Sequence, residues 1–114
     1  MNEPAVKDRR RHQRLQLDTK VEISDDNSFI LKDISPIGAA AISETPVEEM
    51  TLVSLRFELR LPELAALELD CRAVVVRCDE VEPGRYELGL YFSDLTPDKT
   101  LEIEGFIEAA LELD

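Results

Sequence analysis

The chain has 114 residues, with 13 Lys and Arg against 25 Asp and Glu, one His, two Cys and no Trp, for a formal net charge of −12. At this length one compact domain is expected, able to bury about 65% of its unfolded surface and so to form a core without disulfide or metal staples. A hydrophobic share of 44% and a charged share of 33% exclude wholesale disorder and a collagen-like chain. In chain order, residues 1–14 come first. They lack apolar periodicity and read as a flexible arm. Residues 15–24 then alternate strictly, Leu15, Leu17, Thr19, Val21 and Ile23 against polar neighbours, the period of a half-buried strand. Asp25, Asp26, Asn27 and Ser28 are turn chemistry, and residues 29–34 form the returning strand. Ser35, Pro36, Ile37 and Gly38 interrupt it, and residues 39–43 resume as a short strand of small residues. Thr45 and Pro46 open an irregular stretch to Thr51.

The clearest strand follows, with Leu55, Phe57, Leu59 and Leu61 on one face and Ser54, Arg56, Glu58 and Arg60 on the other. Residues 62–66 connect it, through one helical turn, to a long strand over 67–78. There the alternation changes phase at Val74, Val75 and Val76, which predicts a β-bulge or burial on both faces. Glu82, Pro83 and Gly84 make a turn, and residues 86–92 are the last strand. Gly89 inside it implies a bulge or a close backbone approach. Thr96, Pro97 and Asp98 are an N-cap, a first helical residue and a first-turn acid. Ile103, Phe106, Ile107, Ala110 and Leu111 then share one helical face. Short strands with turns between them and a single terminal helix predict a mostly β antiparallel barrel or sandwich carrying a C-terminal amphipathic helix.

No apolar run reaches the ~20 residues of a membrane span, so no membrane insertion is expected. The first residues lack the apolar stretch of a signal peptide. Two Cys without an export signal point to reduced thiols in a cytoplasmic setting. The average charge argues against a polyanionic partner, but the charges are unevenly placed. Residues 1–14 hold five basic and two acidic side chains, a net of +3, and the other eight basic and 23 acidic side chains give residues 15–114 a net of −15. The acidic body repels nucleic acid, and aromatic residues that could stack on single strands are few. A small anion seated on the arm escapes most of that field, because charges beyond ~8–10 Å are screened at physiological salt.

No catalytic set is legible. His12 stands alone in the arm among Arg residues. Cys71 and Cys78 are seven apart, on opposite faces of a strand if the alternation holds. They are expected to give one buried and one partly exposed thiol. Neither Cys-x-x-Cys nor a second His is present to hold a metal. No enzyme, cofactor or metal site is therefore expected.

Two segments carry more information. Arg10 and Arg14 form an Arg-x-x-x-Arg pair preceded by Arg9. Alone it reads as a solubilising basic tail or a nonspecific anion attractor. Asp33, Ser35 and Gly38 form Asp-x-Ser-x-x-Gly at the junction of two strands, which alone is a turn. In this order, one before the first strand and one after the second, they resemble the PilZ domain family. The stretch from Tyr86 to Phe92, with its Gly89, also resembles the family's closing strands. The resemblance covers nearly the whole chain, and no motif position departs from it.

It implies a six-stranded antiparallel β-barrel over residues 15–114, and a bacterial receptor for the second messenger cyclic di-GMP, with residues 1–14 as a ligand clamp. The implied ligand contacts are Arg9, Arg10, Arg14, Asp33, Ser35 and Gly38. Residue chemistry agrees. Arg forks onto a phosphate, stacks on a base or donates twice to guanine O6 and N7, and a carboxylate accepts from guanine N–H groups. Arg9, before the pair, resembles the feature of sites that hold two intercalated ligands, so two cyclic di-GMP per protomer are expected. The arm would fold over the ligand, and the composite surface would signal to a protein partner in trans. The alternative is a PilZ-like interaction module independent of nucleotide. The apolar helix face could also serve a homodimer.

Overall fold

The computed structural model describes residues 14–23, 27–61 and 63–112. Arg9, Arg10 and His12 lie outside the described residues, as do Asp25 and Asp26. Six strands are described: β1 (Leu15–Ile23), β2 (Asn27–Ile34), β3 (Gly38–Ser43), β4 (Leu52–Leu59), β5 (Leu67–Glu82) and β6 (Arg85–Phe92). One helix follows, α1 (Pro97–Glu112). The strands close into an antiparallel barrel in the order β1-β2-β3-β6-β5-β4. Consecutive hairpins make two three-stranded halves, β1-β2-β3 and β4-β5-β6. The β3–β6 ladder joins them along six residue pairs. The opposite seam, β1 to β4, is described by two pairs, Glu22 with Arg56 and Ile23 with Leu55. The expected fold class is thus the observed one.

Alternation drives the closure. Along β4, Val53, Leu55, Phe57 and Leu59 point inward and are buried, and their neighbours are exposed. Along β5, Leu67, Leu69, Cys71, Ala73 and Val75 do the same. Leu88, Leu90 and Phe92 complete the interior from β6. At about 25 cal/mol per Å2 of apolar surface removed from water, this interior is the main source of stability. Helix α1 covers it with Ile103, Phe106, Ile107 and Ala110. The Thr96 hydroxyl caps the helix by accepting from the Lys99 N–H at 3.1 Å. Leu111, expected on the buried face, is 37% exposed at the last turn.

Two local outcomes differ from the sequence reading, and a third bears it out. Asn27 and Ser28 belong to β2, paired with Ile23 and Glu22, and are not turn residues. Strand β5 runs on to Glu82, because the β5–β6 hairpin keeps pairing out to Glu82 and Arg85. The phase change at Val74–Val76 is a bulge: Val75 faces Leu90 and Arg77 faces Gly89, so Val76 is the extra residue. That extra residue reverses the parity between the two cysteines. Cys71 is buried, and Cys78 packs half-buried against the same core instead of facing away from it.

Candidate functional site

Register brings the site together. Across five strands one row of paired positions runs Gln16, Asp33, Ala40, Gly89, Arg77. Two bulges place Asp33 and Arg77 of this row on the outer face. In β2 the register shifts between Leu31 and Asp33, so Leu31 and Ile34 are both buried while Asp33 turns outward. In β5 the Val76 bulge turns Arg77 outward in the same way. Between them lie the two smallest side chains available, Ala40 and Gly89. Asp33 and Arg77 are three strand spacings apart, about 14 Å along the sheet. The result is a cleft of about 450 Å3 with a small-residue floor, lined also by Arg14, Gly38, Glu87 and Tyr91.

The β2–β3 junction is a rigid turn. The Ser35 N–H donates to the Gly38 carbonyl at 2.8 Å. The Ser35 hydroxyl donates to that carbonyl at 3.3 Å and accepts from the N–H groups of Ile37, at 3.4 Å, and Gly38, at 3.3 Å. Ser35 is 1% exposed, and its hydroxyl is committed within the turn. Gly38 has its own reason. It pairs with Tyr91, and a Cβ there would run into the Leu90 carbonyl oxygen. In this structure the glycine admits the β6 backbone.

Charged groups stand on both flanks. Arg14 Nη1 donates to Asp33 Oδ1, with Arg14 half exposed and Asp33 largely buried. That bond uses one guanidinium nitrogen of a side chain that is half exposed. On the far flank Arg77 donates from Nη1 to Asp79 at 2.7 Å and from Nη2 to Glu87 at 3.4 Å. Glu87 also accepts from Lys32 Nζ at 3.3 Å. The Asp79 hydrogen bond raises the already high pKa of Arg77, with Glu87 adding to the effect, so the group is a fixed cation. Tyr91, Ile37 and Val76 form an exposed apolar rim. A second hollow, about 230 Å3, lies between residues 64–67 and α1; its lining is apolar apart from Glu102. Charge and hydrogen-bonding capacity make the first cleft the candidate site.

Of the residues singled out from sequence, Arg14, Asp33 and Gly38 line this cleft together, and Ser35 sits beneath in the turn. Arg9 and Arg10 lie outside the described residues. Sequence reasoning did not single out Arg77, Glu87 and Tyr91 for the site. Two signals pointed there: the broken alternation at Val74–Val76 and the glycine inside β6. Among the described residues no group of His, Cys, Asp and Glu is placed to hold a metal ion. None of the described helices is long and apolar enough to cross a membrane.

The PilZ domain family model matches residues 8–109. The chain belongs to the PilZ domain family. No curated protein sequence matches it. Solved structures do. The Bacillus subtilis inhibitor of motility MotI/DgrA superposes with a TM-score of 0.72 at 15% identity, over 93% of this PilZ chain and 52% of that one. Escherichia coli YcgR in complex with c-di-GMP gives 0.65 at 18% identity, over 91% and 46%. The isolated PilZ domain of YcgR with c-di-GMP gives 0.61 at 16% identity, over 89% and 90%. The chain therefore spans about half the length of the first two proteins, and nearly all of the isolated domain. At these identities the likeness is one of fold.

Proposed function

We propose that this PilZ domain is a cyclic di-GMP receptor, a binding protein and not an enzyme. The observation that carries the reading is the Arg14–Asp33 pair at the mouth of the cleft, beside the Gly38 turn. The two motifs lie 19 residues apart in sequence and meet in space. Their chemistry matches a guanine dinucleotide. Arg14 supplies a planar donor fork for phosphate or for guanine O6 and N7, and Asp33 accepts from base N–H groups. Ser35 serves the site by locking the turn that presents Asp33. The ligands of the two YcgR structures are c-di-GMP, which supports the assignment.

In this reading Arg9 and Arg10 complete the clamp. Residues 1–14 close over the ligand, with two dinucleotides per protomer. The ordering cost is offset by charge-assisted hydrogen bonds. The closed arm, ligand and barrel rim then form a surface read by a protein partner in trans, in a bacterial cytoplasm. The apolar face of α1 is taken up by the barrel core, so a homodimer would have to use another surface.

Calorimetric titration of the full chain with cyclic di-GMP tests the reading. Saturable binding is expected. Arg10→Ala, Arg14→Ala and Asp33→Ala should each weaken it at least tenfold, with melting temperatures close to wild type. Absence of binding at high micromolar ligand, or unchanged affinity in all three variants, would overturn the assignment.

A further inference from the structure

The far flank of the cleft holds a built feature that neither motif contains. The Val76 bulge aims Arg77 outward, opposite Gly89. Bulges are devices for re-aiming a side chain. A Cβ added at Gly89 would come within 3.3 Å of both Arg77 Cβ and Nε, and within 3.6 Å of Nη2. The guanidinium therefore lies over the bare backbone of β6, in the space a side chain would take. A glycine inside a strand weakens it and marks a close approach. Here the approaching group is the guanidinium itself. Asp79 and Glu87 each hold one of its terminal nitrogens, and Lys32 braces Glu87 from β2. The side chain is still 46% exposed, so a part of this immobilised planar cation faces the cleft.

An ion pair made only for stability would not need this arrangement. Exposed pairs contribute little, about 0–1 kcal/mol, and the bulge and the mid-strand glycine both weaken local pairing. The same row of the sheet contains Asp33, the partner of Arg14, with only Ala40 and Gly89 between it and Arg77. A flat ligand can lie against such a floor with a planar cation at each side.

We propose that Arg77 is a ligand-binding residue: its guanidinium, fixed by Asp79 and Glu87 over Gly89, is the platform on which a guanine base of the bound dinucleotide stacks. The proposal rests on the dinucleotide reading above and extends it to a second flank of the site. Stacking between a guanidinium and a base requires the plane as well as the charge. Lysine at this position keeps the charge and loses the plane.

The test is calorimetric titration of the full chain with cyclic di-GMP, alongside the guanine absorbance on binding. Wild type should bind with hypochromism. Arg77→Ala and Arg77→Lys should both lose affinity by roughly ten- to a hundredfold, the range of one base-stacking contact, and lose part of the hypochromism. Arg60→Ala removes an exposed Arg paired with Glu58, outside the cleft, and should bind as wild type. Circular dichroism melts establish that each variant is folded. Wild-type affinity in Arg77→Ala overturns the assignment of Arg77 and leaves the receptor reading intact. Full affinity in Arg77→Lys, or an equal loss in Arg60→Ala, reduces Arg77 to a general charge effect and also overturns it. No binding by wild type removes the receptor reading itself.

Discussion

Gly38 shows how one residue can look like a ligand contact and act on the fold. Its motif position places it at the cleft, but the atom that forbids a side chain there is the Leu90 carbonyl oxygen on β6. Backbone cannot yield as a flexible side chain can, so Gly38→Ala must push β3 away from β6. The expected cost is about 1–3 kcal/mol, the range for overpacking a well-filled site. It should be read as a lower urea midpoint with an unchanged slope; a midpoint equal to wild type would return Gly38 to a purely ligand-facing role. Cys71 gives a second prediction at this scale. Burial, reinforced by Asp94 and Asp70, pushes its thiol up from 9.0 to about 12. In the unfolded chain the same thiol ionises near its ordinary value. Above pH 9 the unfolded state thus binds fewer protons than the folded state, and stability falls as pH rises from about 9 towards 12. The melting temperature of wild type should drop over that range more steeply than that of Cys71→Ala. Parallel slopes would show that other groups account for the decline.

At the scale of elements, α1 is where local signals and packing agree most closely. Thr96 caps it, Pro97 opens it, and its buried face reaches the barrel core through Ile103, Phe106, Ile107 and Ala110. Phe106→Ala should cost about 3–5 kcal/mol by deleting a buried ring, and Thr96→Ala only about 1 kcal/mol by removing the cap. Chemical denaturation of both variants checks the order; a cap loss as large as the ring loss would contradict it. The same contrast explains what could be read from the sequence. Strands β4 and β6 and the helix were legible because their periodicity is local and unbroken. The site was legible at Arg14 and Asp33, whose spacing carries a motif. The outward turn of Asp33 was not, because the β2 bulge exists only relative to β3. Arg77 was hidden for the same reason. Its parity in β5 depends on Val76 being the extra residue opposite Leu90 and Gly89, and a one-residue shift moves a side chain to the other face. The same residue puts Cys71 and Cys78 on one side of β5 and not on opposite faces, although the expected burial, one thiol buried and one partly exposed, is what the structure shows.

For the whole molecule, net charge decides which anions can approach. Residues 15–114 carry a net of −15, while in the cleft Arg14 and Arg77 are matched by Asp33 and Glu87, and beside it Lys32 and Asp79 pair with Glu87 and Arg77. The described cleft is therefore close to neutral, and the excess positive charge available to a ligand belongs to residues 1–14. A compact dinucleotide with two phosphates meets only local groups, since the acidic far side is screened beyond about 8 Å at physiological salt. A polynucleotide must also pass along the acidic body. Counterion release gives a salt slope of about −0.7 to −0.9 for each phosphate neutralised. With two phosphates on each dinucleotide, log affinity should fall against log salt with a slope no steeper than about −2 for each ligand bound. Calorimetry across a tenfold range of sodium chloride measures that slope, and duplex or single-stranded DNA should show no retention at physiological salt. A steeper slope per ligand would mean that more charges are engaged than a dinucleotide owns. Stoichiometry from the same titrations gives the number of ligands over which the slope is counted. One ligand per protomer with a steep slope would contradict the separation of a basic clamp from an acidic body, whereas two ligands with a slope near −2 each would support both the clamp and the paired site.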